Sequence, residues 1–220
     1  MDADVEGFAG LTLDAFTRLL ASAEPVPGGG SAAAVAASLA ASLTAMVARL
    51  SIGRPRYAAY ATTHSRSLAA GDAARQRFLE LADEDSIAYA AYAKARTMPR
   101  QTTADQALRE AAMRSAARLA TEVPLETARL CKSLLEAIER LAGRCNMNAS
   151  SDLDVAASLA VAAAHGAGAN VLVNLPAVQD PALTESLVTE IEALAAEVED
   201  MALRVHGHVL SGELRDPEAA

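Results

Sequence analysis

An aspartate stands where one long amphipathic segment calls for a leucine. Phe78, Leu81, Asp85, Ala88 and Tyr92 are spaced by 3, 4, 3 and 4 residues, the spacing of the buried stripe of an α-helix. Asp83 lies about 200° further round at 3.6 residues per turn and faces elsewhere. A carboxylate turned into a helix bundle is costly unless it is paired, protonated or bordering a cleft. Desolvation raises its pKa, which is what a general acid or base working near neutrality requires. The purely structural alternative is a buried ion pair with Arg114 or Arg118.

Three further groups of residues have spacings that bear on chemistry. In Pro25-Val26-Pro27-Gly28-Gly29-Gly30-Ser31 two prolines fix an extended approach and three glycines leave the backbone bare. Ser31 stands at the N-cap position of a helix of small residues over 32–49, so the loop presents free N–H groups and the positive end of a helix dipole. Gly28, Gly29, Gly30 and Ser31 are thus either a ligand-facing surface or a plain connector. No Gly-Lys-Ser/Thr follows and no strand precedes, which excludes a nucleotide P-loop. Asn170 and Asn174 share one face of an apolar segment and either satisfy each other or hold the edge of a heterocycle. In 145–154, Ser150 or Ser151 is the expected helix cap, with Asp152 and Asp154 complementing the dipole.

The elements that must position these residues are all helical. No window alternates apolar and polar residues as a strand would. Thr12 caps a short helix to about residue 22. A break at Gly53-Arg54-Pro55 precedes a long helix over 56–96, with an interruption expected near Gly71. Thr102 or Thr103 caps another over 103–141, kinked or broken at Pro124. A small-residue helix follows to Pro176, and a last long helix runs to His208. The expected architecture is one all-α domain over residues 1–220, an elongated bundle, with residues 211–220 as a flexible tail.

Composition narrows the function classes. The chain is 52% hydrophobic but 3% aromatic, with a net charge of −9, so neither a nucleic-acid nor an anionic membrane surface is the expected partner. Residues 31–48 carry no charge, and 155–173 are nearly as apolar. Both are read as buried bundle helices, since Ala, Ser and Thr insert weakly into membranes. Cys131 and Cys145 form no CxxC motif and point to a reducing, cytoplasmic setting. His206-Gly207-His208 is a lone pair near a helix end, and no metal site is expected.

These residues together resemble the cyclodeaminase/cyclohydrolase family of folate enzymes, which includes the C-terminal domain of formiminotransferase-cyclodeaminase and the stand-alone methenyltetrahydrofolate cyclohydrolases. The resemblance covers about residues 11–210. It is carried by Pro27–Ser31, Met46-Val47 with Gly53–Tyr57, Asp85–Tyr89, Val123-Pro124-Leu125, Asn146 with Ser151-Asp152, and Asn170–Leu175. It implies an elongated helical homodimer without metal or permanently bound cofactor, taking a tetrahydrofolate derivative as substrate. Asp85 matches the family's proposed proton acceptor, while the glycine loop with Ser31, and also Asn146, Asp152, Asn170 and Asn174, match its folate cleft. Arg54 and Arg56, with Lys94, Arg96 and Arg100, are candidates for the carboxylates of the folate tail. One departure is Cys145, where the family usually has glycine before the asparagine; if that glycine needs a positive φ, this loop is shaped differently.

The implied activity is hydrolysis of 5,10-methenyltetrahydrofolate to 10-formyltetrahydrofolate. The alternatives are cyclodeamination of formiminotetrahydrofolate with release of ammonia, or a helical folate-binding protein without catalysis. Both reactions pass through a tetrahedral one-carbon centre and require a single proton shuttle, which one carboxylate can supply.

Overall fold

The computed structural model describes residues 7–217, which form six α-helices and three short 3-10 turns, with no strand among them. The helices are α1 (Leu13–Leu20), α2 (Gly29–Ser51), α3 (Ala61–Arg96), α4 (Thr103–Leu141), α5 (Ser150–Val178) and α6 (Pro181–Ser211). Helices α2 to α5 form an antiparallel ring: α2 packs on α3, α3 on α4, α4 on α5, and α5 closes back onto α2, with α6 lying against α4 and α5.

Small residues set how closely these helices approach. Ala37, Ala40 and Ala41 of α2 and Ala160, Ala163, Ala164 and Ala167 of α5 are buried. Larger side chains, among them Phe78, Leu81, Leu134, Leu135, Ile138 and Leu141, fill the core toward α3 and α4. Helix α2, and α5 with its preceding turn, are long and apolar enough to cross a membrane by length and composition. In this fold they are the paired central helices of the bundle.

Several local expectations hold and several are corrected. Thr12 caps α1, and Thr102 forms a reciprocal capping box with Asp105 at the start of α4. Ser31 is not a cap: Gly28 is already extended and α2 begins at Gly29, which puts Ser31 inside the first turn. The chain from Pro55 to Tyr60 is a 3-10 helix before α3 begins. Neither Ser150 nor Ser151 caps α5; the Asn146 side chain instead accepts from Asn148 N–H and starts a 3-10 turn ahead of it. Helix α5 runs two residues past Pro176 and stops where Gln179 turns left-handed at φ 58°.

Gly71 does not interrupt α3. A Cβ there would lie 2.9 Å from both Ala41 O and Ala45 N of α2, so the glycine permits backbone contact between two helices. Pro124 does not break α4, which is continuous over 39 residues.

The C-terminal segment is held down rather than frayed. Arg215 N–H donates to Gly143 O at 2.8 Å, and the Arg215 guanidinium donates to Glu139 O and Ala142 O. Tyr60 Oη donates to Arg215 O, and Arg144 Nε donates to Asp216 O. The last three residues of the expected tail lie outside the described residues.

Replacing Gly71 by Ala adds helix propensity but forces a methyl group against the α2 backbone on two atoms. Overpacking should win, with a net loss of about 1–3 kcal/mol in urea-induced unfolding. Equal or greater stability would mean that α2 and α3 are less tightly apposed.

Candidate functional site

The site is assembled where α2 begins. Its first turn rests on the last third of α3, because a Cβ on Gly30 would overlap the Asp85 carboxylate. Gly28 and Gly29 are less confined: a Cβ on either would make only ordinary contacts, at 3.8 Å from Pro25 O and 3.7 Å from Asn170 Nδ2. The first intrahelical hydrogen bond of α2 runs from Ala32 N–H to Gly28 O. The N–H groups of Gly29, Gly30 and Ser31 therefore have no partner in their own helix.

Ser31 is fully buried and faces α3. Its Oγ lies 2.9 Å from Ala82 O, 3.0 Å from Asp85 Oδ2 and 3.2 Å from Ser86 Oγ. A hydroxyl has one proton to donate, so Ala82 O and Asp85 compete for it. Asp85 is half-buried, and desolvation pushes its pKa above the usual aspartate value, opposed by hydrogen bonds from the side chain and backbone of Ser31. The alternative of a buried ion pair does not occur. Arg114 lies near Glu110 and Arg118 pairs with Asp180. Asp83 points away and accepts Phe8 N–H at 2.7 Å.

Asp85 opens into a cavity of about 350 Å³, within the range of small-molecule sites. The Pro25–Gly30 loop forms one side, Tyr89, Tyr92, Ala93 and Arg96 of α3 a second, and Asn170, Val173 and Asn174 of α5 a third, with Ala120 of α4 between. The two asparagines do not bond to each other. Asn170 Nδ2 donates to Gly166 O at 2.8 Å, and Asn174 Nδ2 donates to Ala120 O at 2.6 Å. The second bond explains Pro124. A proline has no N–H, so the carbonyl four residues earlier, Ala120 O, loses its intrahelical donor; the Asn174 amide replaces it. Both asparagine side-chain oxygens remain without a donor among the described residues, on two residues that line the cavity.

The remaining expected site residues lie at the other end of the bundle. Asn146 N–H donates to Ser51 Oγ at the C-terminus of α2, and Asp152 is in the first turn of α5. Arg54 borders a separate cavity of about 250 Å³ with Tyr57 and His64. Arg56 stacks over the Tyr57 ring. The length of α2 puts these four residues about 33 Å from Gly29. Of the other basic candidates, Arg96 lines the Asp85 cavity, whereas Lys94 borders a different surface hollow between α3 and α4.

Cys145 is fully buried, and burial pushes its thiol up to about 11, which leaves no thiolate for nucleophilic chemistry near neutrality. Its backbone is ordinary: among the described residues Gln179 is the only non-glycine with positive φ. The left-handed turn of this loop falls on Gly143, at φ 71°, so the cysteine strains nothing. His206 pairs with Asp154 on the outer face. Among the described residues no three His, Cys, Asp or Glu side chains are grouped to hold a metal ion.

Comparison with known proteins places this geometry. The family model for formiminotransferase-cyclodeaminase matches residues 12–193. The chain belongs to that family. It is 33% identical to the methenyltetrahydrofolate cyclohydrolase of Methylorubrum extorquens, over 91% of this chain and 96% of that one. It is 35% identical to the formimidoyltransferase-cyclodeaminase of Sus scrofa over 88% of this chain, and spans only 36% of that longer protein. The formiminotetrahydrofolate cyclodeaminase of Thermotoga maritima superposes with a TM-score of 0.81 at 28% identity, covering 92% of this chain and 98% of that one.

Sequence reasoning named Asp85, the glycine loop, Ser31, Asn170 and Asn174; all but Ser31 line one cavity, and Ser31 is buried against Asp85. It did not place Tyr89 there. The signal was present, since Tyr89 is four residues beyond Asp85 and so one helical turn along the same stripe.

The tight position is thus Gly30, not Gly29. Gly30→Ala should leave the far-ultraviolet circular dichroism unchanged but displace the Asp85 carboxylate, lowering turnover by about 10²-fold or more, within the usual range for a general base. Gly28→Ala should stay within a few-fold of the unsubstituted chain. Equal effects of the two substitutions in a turnover assay would contradict the Gly30–Asp85 contact.

Proposed function

We propose that this protein hydrolyses 5,10-methenyltetrahydrofolate to 10-formyltetrahydrofolate, with Asp85 as proton acceptor and donor. The supporting observation is a desolvated carboxylate at the end of a cavity walled by backbone N–H groups and two amides. The near full-length similarity to a methenyltetrahydrofolate cyclohydrolase supports the choice of reaction. The substrate's bridging carbon, between N5 and N10, is cationic. Asp85 takes a proton from water as its oxygen bonds to that carbon, giving a neutral carbinolamine. The protonated Asp85 then returns the proton to N5 as the C–N5 bond breaks. The hydroxyl proton leaves to solvent, and the formyl group stays on N10. Gly29 and Gly30 N–H groups suit the carbonyl oxygen that forms. The asparagine oxygens of α5 suit the N–H edge of the pterin.

Cyclodeamination is the second reading, favoured by the structural similarity to a cyclodeaminase. There N10 attacks the formimino carbon on N5, Asp85 moves the N10 proton to the amine, and ammonia departs. Neither route uses a metal or a permanently bound cofactor in this proposal. The buried free thiols of Cys131 and Cys145 accord with a reducing cytoplasm, and the net charge of −9 argues against nucleic acid or an anionic membrane as partner.

A homodimer is proposed as well. Val35, Leu39, Leu43, Met46 and Leu50 form one uncharged stripe along α2, with Leu39 54% and Leu50 41% exposed. A second copy packed antiparallel along this stripe would cover it and bring the Asn146–Asp152 end of one subunit toward the cleft of the other. Leu39→Lys should shift sedimentation from twice 22.7 kDa toward the single chain; sedimentation of the unsubstituted chain at one chain mass would refute the dimer.

Asp85 must be ionised to accept a proton. Its raised pKa should therefore place the acidic limb of the kcat/KM profile above the ordinary carboxylate range, with activity falling as pH drops through it. The same shift fixes a stability sign. With a folded pKa above the unfolded one, the Asp85 contribution is fully present below the unfolded pKa and is lost as pH rises through the folded pKa. Asp85→Asn should lower turnover of the methenyl chromophore by about 10²–10⁴-fold. It should also raise the thermal midpoint relative to the unsubstituted chain at pH 7–8 but not in acid. Chromophore loss at an undiminished rate would overturn the assignment, and chromophore gain from formiminotetrahydrofolate alone would select the second reading.

A further inference from the structure

One stripe of α3 carries more than the carboxylate. Asp85, Tyr89, Tyr92 and Arg96 all line the cavity, at offsets of 4, 7 and 11 residues. At 100° per residue these four positions fall within about 60° of one another on the helix surface. The helix thus presents, in order along one line, a carboxylate, two phenol rings and a guanidinium, spread over about 16 Å of axial rise.

The two rings differ from the chain's other tyrosines. Tyr57 and Tyr60 are buried, and their hydroxyls donate to, or accept from, backbone groups. Tyr89 is 46% exposed, and neither its hydroxyl nor that of Tyr92 has a hydrogen-bond partner among the described residues. A chain with four tyrosines, three phenylalanines and no tryptophan therefore leaves two aromatic faces against a cavity with no structural use for them. Arg96 is exposed at the C-terminus of α3, and among the described residues no carboxylate pairs with its guanidinium. Arg77, Arg129 and Arg204, by contrast, all clamp glutamates between helices.

We propose that this stripe orients the substrate along α3, with the one-carbon unit at Asp85, the aminobenzoyl ring against Tyr89 and Tyr92, and a glutamate carboxylate on Arg96. The inference rests on the folate reading above. In tetrahydrofolate the bridge nitrogen, a benzene ring and an amide-linked glutamate follow one another in a line, the order in which α3 presents its acid, its rings and its cation. Side chains on a helix lean toward its N-terminus, so the Arg96 guanidinium reaches back about one turn toward Tyr92 and into range of the first glutamate. Arginine suits this place because its planar fork takes a carboxylate through two parallel hydrogen bonds.

The test compares 5,10-methenyltetrahydrofolate with 5,10-methenyltetrahydropteroate, which lacks the glutamate, by turnover and by equilibrium binding. The unsubstituted chain should prefer the glutamate-bearing compound by about 10-fold or more in KM and in Kd, the size of one charge-assisted contact. Arg96→Ala should abolish that preference by raising KM for the folate alone, with the change in KM rather than kcat, and Arg96→Lys should restore part of it. Tyr92→Ala should weaken both compounds equally, and Tyr92→Phe, which keeps the ring, should recover most of that loss. A preference that survives Arg96→Ala, or that disappears in Arg54→Ala instead, overturns the proposal while leaving the folate reading intact. Failure of the unsubstituted chain to bind or turn over either compound overturns both.

Discussion

The structure depends on a missing side chain. At Gly30 the first turn of α2 comes so close to α3 that the Asp85 carboxylate occupies the space a β-carbon would need. The same closeness removes water from one side of the acid and lets Ser31 reach it from beneath. Desolvation and hydrogen bonding act in opposite directions on that carboxylate, and desolvation is the larger. A carboxylate raised by desolvation and still hydrogen-bonded has the properties that the proposed exchange of a proton requires.

The rest of the bundle holds that approach in place. A four-helix ring closed by small residues leaves little freedom in the spacing of α2, α3 and α5, since methyl groups and backbone are already in contact at Gly71 and Gly166. The ring also links Pro124 to the cleft. By removing one N–H from α4, the proline frees Ala120 O for the Asn174 amide, tying α4 to α5 at the wall of the cavity and fixing which end of Asn174 is left for a ligand. A proline inside a long helix is costly. Here the cost is offset by a second helix that supplies the missing hydrogen bond.

That link explains what the sequence conceals. The stripe through Asp85 was legible because its periodicity is local, and Thr12 and Thr102 were legible as caps for the same reason. Pro124 and Gly71 read as breaks because their effects on their own helix are unfavourable; their roles depend on α5 and α2, more than 25 residues away in the chain. Ser31 looked like a cap because a serine after glycines is a strong local signal, and its bond to Asp85 spans 54 residues. The tail looked frayed, yet its described part is held by the Arg215 N–H on Gly143 O and the Arg215 guanidinium on Glu139 O of α4. Pattern cannot anticipate such bonds. Likewise, the order of motifs along the chain says nothing about which end of a 23-residue helix each one occupies. Asn146, Asp152, Arg54 and Arg56 were therefore grouped with a cleft that the fold keeps at a distance from them.

A site of this design has consequences for selectivity. Hydrolysis and cyclodeamination differ in the attacking atom, an external water or the substrate's own N10, and in whether a C–N bond to the ring or to ammonia breaks. In the proposed mechanism both ask the carboxylate to carry one proton between the attacking and leaving atoms across the same tetrahedral carbon. Nothing beside Asp85 is specialised for one attacking atom: Ser31 holds the acid, and the glycine loop and the two asparagines that line the cavity would, in the proposed roles, serve either reaction alike. If the substrate lies along α3 as proposed, discrimination falls to features that admit or exclude a water next to the one-carbon unit, among them the depth at which the substrate sits. On the proposed mechanism, family members named for each reaction would differ in where the substrate sits relative to the acid rather than in the acid itself.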